Sequence, residues 1–140
     1  MSTKSESKYA WITLSASGTI GLVSQDIPDI ELKALQDAVG GHIQIVNPVY
    51  LCHFFNPFLR MIVDDAGLYK DYKLNKLASA IYGRPIVGDA AICTIFNEDA
   101  LAEPDIYAMN RLEAEGLYSR LLHFSEAELP FKFQISGKDN

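Results

Sequence analysis

The chain has 140 residues, 49% of them hydrophobic and 21% charged, the composition of one globular domain and too apolar for a disordered one. Its net charge is −6, and its 12 Lys and Arg are scattered rather than clustered, which excludes sequence-independent binding to nucleic acid. No run reaches the roughly 18 apolar residues of a membrane span, the start MSTKSESKYA has no apolar core of a secretion signal, and two isolated cysteines, Cys52 and Cys93, fit reduced thiols, so a cytoplasmic protein is expected.

Residues 1–8 read as a disordered tail before a single domain over 9–136. Tyr9–Leu14 and Thr19–Val23 are rich in β-branched and aromatic residues around Ser17-Gly18, the pattern of a hairpin. Asp26 and Pro28 predict a helix start, with Leu32, Leu35 and Val39 at helical spacing and Gly40-Gly41 as its stop, a helix over roughly 28–39. His42–Val46 and Leu59–Val63 read as strands, and Asp64-Asp65-Ala66-Gly67 as a tight turn with Gly67 at positive φ. Leu74, Leu77, Ala78 and Ile81 mark a second helix over 73–82, ended by Gly83 and blocked by Pro85.

Ile86–Phe96, apolar on both faces, predicts a buried strand, with a bulge or close crossing at Gly88. Pro104 suits the first turn of a long third helix with Ile106, Met109, Leu112, Leu117 and Leu121 along its inner stripe, and Phe131, Phe133 and Ile135 alternate as a last strand. The fold class is therefore α+β: a single domain, a small mixed sheet with helices packed on it, and a long C-terminal helix. The sheet is expected to hold Ile43–Val46, Leu59–Val63 and Ala90–Ile95, with the first two helices on one face.

Four blocks in order, LQDAVGGHIQIV from Leu35, MIVDDAG from Met61, LNKLASAIYG from Leu74 and IVGDA from Ile86, resemble a family of short proteins carrying a domain of unknown function, common in bacteriophages and mobile elements. The resemblance spans residues 35–90 and implies a setting, the cytoplasm of a bacterial host, rather than a reaction. Residues 48–58, PVYLCHFFNPF, depart from it as a longer, more aromatic insertion, and from Asn97 onward it gives no cover.

The glycines of YGRPIVGDA lie between a helix and a following strand, the reverse of the strand-to-helix order of a phosphate cradle. Cys52-His53 adjoin in sequence without a nucleophile signature, and Cys52, His53, His42 and His123 form neither a CxxC nor an HxxxH or HExxH pair. Asp64 and Asp65 are explained by turn chemistry, and Asn75 by N-capping. Asp89, beside a buried strand, needs a partner: the Gly40-Gly41 or Gly83 amides, or a ligand. Tyr82 packs inward with its hydroxyl out, while Arg84, after a helix stop and before a rigid Pro, suits presentation to phosphate or carboxylate.

Tyr50, Phe54, Phe55 and Phe58 fall within one short loop between Pro48 and Pro57, and loops are normally polar. A satellite core under the third helix, a subunit contact, or base stacking with Arg60 close by each account for them. No catalytic residue, metal site or cofactor follows. The expected function is that of a non-enzymatic binding protein, for which the resemblance to mobile-element proteins implies a counter-defence role: it sequesters a small nucleotide-type immune signal in a subunit-interface pocket of a homo-oligomer. Its ligand-binding residues are then Tyr50, Phe54, Arg60, Tyr82, Arg84 and Asp89. The alternative is an acidic inhibitor that blocks a basic host defence protein directly. A nucleotide-modifying enzyme stands third.

Overall fold

The computed structural model describes residues 7–67, 72–96 and 105–126. Residues 1–6 of the expected tail over 1–8, Pro104 and the expected strand at Phe131, Phe133 and Ile135 lie outside the described residues. In chain order the elements are β1 (Tyr9–Leu14), β2 (Ile20–Gln25), α1 (Leu32–Val39), β3 (Ile43–Val46), α2 (Val49–Phe54), β4 (Leu59–Asp64), α3 (Lys76–Tyr82), β5 (Ala90–Ile95), β6 (Ile106–Tyr107), β7 (Met109–Asn110) and α4 (Arg111–Glu126).

The strands form one sheet in the order β2-β1-β5-β4-β3, and this is the α+β domain expected. A mixed sheet was expected; every pairing among the described strands is antiparallel. Both faces are covered. Period-two alternation sends Ile12, Met61 and Ile92 to one face, where Leu51 of α2, Ile81 of α3 and Leu117 of α4 pack on them. It sends Trp11, Ile62 and Cys93 to the other, under Leu35 and Val39 of α1. The helices near 28–39 and 73–82 therefore lie on opposite faces, not on one. All six residues of β5 are buried because a central strand covered on both sides must be apolar throughout.

Three other local readings change. Residues 28–30 do not start α1: the Pro28 carbonyl accepts from Ala108 N and Ile30 N donates to the Ile106 carbonyl, so this stretch runs extended beside β6. The apolar spacing of Ile106 and Met109 does not belong to a helix; both lie in two-residue strands, and α4 buries the expected Leu117 and Leu121 together with Ala114, leaving Leu112 81% exposed. The aromatic loop contains a helix, α2, whose Leu51 is fully buried.

Residues 106–110 occupy a fork. β1 and β5 pair directly only over Ile12–Leu14 and Ala90–Ile92. Beyond that they separate, and Tyr107 pairs with Thr94 on one prong while Met109 pairs with Ala10 on the other. The chain runs into the fork, reverses at buried Ala108 and runs out into α4.

Candidate functional site

α3 begins at Asn75, whose side-chain oxygen accepts from Ala78 N, the N-cap expected from sequence. It ends at Gly83, left-handed at φ 91°, whose amide donates to the Ser79 carbonyl at 2.7 Å. The buried Ser79 hydroxyl then accepts from Ile86 N at 2.7 Å and donates to the Ile86 carbonyl at 3.2 Å. The turn carrying Arg84 and Pro85 is thus fastened at both ends to one serine, and the exposed Arg84 side chain stands on a fixed backbone.

A cleft of about 320 Å³ opens beside this turn. Tyr82 lines it from the end of α3 and Arg84 from the turn that follows, Gln44 and Val46 from β3, and Asp64 and Asp65 from the end of β4. Asp64 is buried and engaged: one carboxylate oxygen accepts from Ala66 N and the other from the Tyr72 hydroxyl, each at 2.9 Å. Asp65 is exposed. A larger cleft of about 510 Å³ lies between α1, β3 and residues 105–106, but none of the six sequence candidates lines it and its lining includes no Lys or Arg.

The other candidates separate from this pair. Tyr50 and Phe54 lie on α2 with ring centroids 4.8 Å apart, Tyr50 half-buried against the core and Phe54 62% exposed. Arg60 donates to the Pro57 and Leu59 carbonyls at 2.9 and 2.7 Å, so its guanidinium braces the turn between α2 and β4. Asp89 accepts from Ala16 N at 2.9 Å, not from the glycine amides expected. Those amides are already used: Gly40 and Gly41 donate to the Gln36 carbonyl, and Gly83 to Ser79.

The four sequence blocks converge on one residue the sequence reading passed over, Tyr72. A Cβ on Gly88 would lie 2.6 Å from its ring, and one on Gly40 would lie 2.9 Å from its hydroxyl oxygen. Gly88, not Gly67, takes the positive φ, at 82°. Asn75 donates to the Leu14 and Gly88 carbonyls, closing the same cluster. Glycines and acid in these blocks therefore have a packing cause: they make room for one ring and hold its hydroxyl. A bulky aromatic a few residues after the DDAG turn is the signal that pointed to it.

Cys93 is fully buried, and burial pushes its thiol far above the ordinary range. The Cys52 sulfur contacts the Leu59 carbonyl at 3.1 Å and Arg60 at 3.5 Å, while the His53 and Phe54 rings meet at right angles. Among the described residues no three of His, Cys, Asp and Glu are grouped to hold a metal ion, and no helix is long and apolar enough to cross a membrane.

A family described as a domain of unknown function, DUF3846, matches residues 21–112, a wider span than the blocks from Leu35 to Ala90. No curated protein and no solved structure matches the chain.

Proposed function

The chain belongs to the DUF3846 family, a domain of unknown function, and on that premise we propose that it is a non-enzymatic binding protein for a small nucleotide-type ligand. The observation that carries this reading is Arg84, fixed by the Ser79–Ile86 clasp at the mouth of a cleft that also presents Tyr82. A cleft of about 320 Å³ is within the range of small-molecule sites. A guanidinium whose backbone does not need ordering offers paired donors to phosphate at low entropic cost. Asp65 on the same rim accepts from base N–H groups and repels phosphate, which orients the ligand.

The cleft supplies a cation and one ring, while α2 supplies the Tyr50–Phe54 pair with Arg60 committed to carbonyls. A homo-oligomer that sets α2 of one copy over the cleft of another completes the pocket. The exposure of Phe54 and Val49 supports that arrangement. The biological role we attach to it, capture of an immune signal by a phage or mobile element, follows the resemblance of residues 35–90.

Calorimetric titration against mono-, di- and cyclic nucleotides tests the reading. Arg84→Ala is expected to weaken binding by about 1.5–3 kcal/mol, the size of a charge-assisted hydrogen bond, with little change in melting temperature. Phe54→Ala is expected to cost about 1–3 kcal/mol of stacking. If no nucleotide binds tighter than millimolar, the proposal fails.

A further inference from the structure

At the opposite end of β4 from the Arg84 cleft, three rings form a row, Phe58 and Phe96 exposed and Tyr107 half-buried. Phe58 and Phe96 have centroids 4.8 Å apart, and Phe96 and Tyr107 5.6 Å, all tilted by about 45–50°. Phe58 is 44% and Phe96 57% exposed, although the core a few residues away is fully closed. The row is held by backbone rather than by ring packing: Ile95 N donates to the Phe58 carbonyl, and the Thr94 hydroxyl to the Tyr107 carbonyl.

Two carboxylates flank it. Asp29 pairs directly across from Tyr107, and Asp105 lies two residues before it in the same extended segment, so both share its side. Asp105 first, then partial burial and Asp29, raise the Tyr107 phenol above its ordinary value. Among the described residues neither acid has a Lys, Arg or His within ion-pair distance. Arg60, the nearest base in sequence to Phe58, is turned to the Pro57 and Leu59 carbonyls. The same two acids border the 510 Å³ cleft beside α1, although none of the three rings lines it.

We propose that Phe58, Phe96 and Tyr107, with Asp29 and Asp105 at their flank, are the docking surface for an arginine-bearing segment of a partner protein. A guanidinium is flat, stacks on ring faces and takes carboxylates in a two-pronged contact, so it satisfies both halves of this surface at once. Two carboxylates beside one phenol, neither of them ion-paired among the described residues, favour an arriving cation. This site uses none of the residues of the nucleotide cleft, so either reading can fail alone.

The probe is a blocked Gly-Arg-Gly-Arg-Gly peptide titrated by calorimetry, beside the same peptide with citrulline in place of arginine. The arginine peptide is expected to bind and the citrulline peptide not. Phe96→Ala and Asp105→Asn, both at exposed positions, are each expected to weaken binding about three- to tenfold. Asp37→Asn on exposed α1 makes the same change in net charge and is expected to leave binding unaltered. Equal weakening by Asp37→Asn and Asp105→Asn would reduce the effect to the overall charge and overturn the proposal. So would equal binding of the two peptides, or no binding tighter than millimolar.

Discussion

Gly88 carries two independent demands. Its φ of 82° is a backbone state that costs a side-chain-bearing residue about 1–2 kcal/mol, and the Tyr72 ring fills the space where a Cβ would go. Gly88→Ala is therefore expected to lower stability by about 2–4 kcal/mol in urea denaturation, the backbone cost plus overpacking. Tyr72→Leu in the same chain removes the clash and leaves the backbone cost, so the double variant should be more stable than the sum of the two single changes implies. Strict additivity would show that the ring and the glycine do not interact.

At the level of the element, α3 depends on one buried side chain that does three jobs. Asn75 caps the helix, and its amide nitrogen joins the carbonyl of Leu14 in β1 to that of Gly88. Asn75→Ala removes the cap and strands two buried carbonyls, an expected loss of about 2–4 kcal/mol. Asn75→Asp keeps the acceptor for Ala78 but points a carboxylate at those carbonyls. The folded-state pKa of that carboxyl is raised, so its penalty is absent below the ordinary carboxylate pKa of about 4 and grows as the pH rises. The Asp variant should be markedly more stable at pH 4 than at pH 7 when each is compared with the native chain at the same pH. A pH-independent difference would mean that the introduced group is not buried.

The cap at Asn75 and the stops at Gly40 and Gly83 were legible in the sequence because they are local: a side chain, an amide and a glycine within four residues. α2 was not legible. Six residues give no repeat of a 3.6-residue period, and Val, Tyr and Phe suit strands and loops as readily as a short helix.

For the molecule as a whole, the sheet strands with strong alternation were legible, and their covering on both faces followed for β5 from its unbroken apolar run. The division of helices between faces was not, because an apolar stripe records that a helix packs, not which side of a sheet receives it. The segment 106–110 misled for a related reason. Ile106, Met109 and Leu117 fall at helical intervals, yet two-residue strands have no period of their own, and the pairing partners Ala10 and Thr94 are distant in sequence. In the candidate site, Tyr82 and Arg84 came together because they are neighbours in the chain. Tyr50, Phe54 and Asp89 were drawn to them by chemistry alone, and the fold sends Asp89 to the β1–β2 turn through its bond with Ala16.

The fork between β1 and β5 also sets an order of events during synthesis. Tyr9 is made early, yet its ladder partner on the fork side, Asn110, is made only after every other described strand of the sheet. Until then the separated ends of β1 and β5 present unpaired amides and carbonyls, an open edge of the kind that captures strands from other chains. A nascent chain halted after residue 104 is expected to aggregate under conditions that keep the full chain dispersed. A soluble, cooperatively unfolding product of that length would show that the sheet closes without its last segment. The late arrival of residues 106–110 makes synthesis of that segment a checkpoint on solubility.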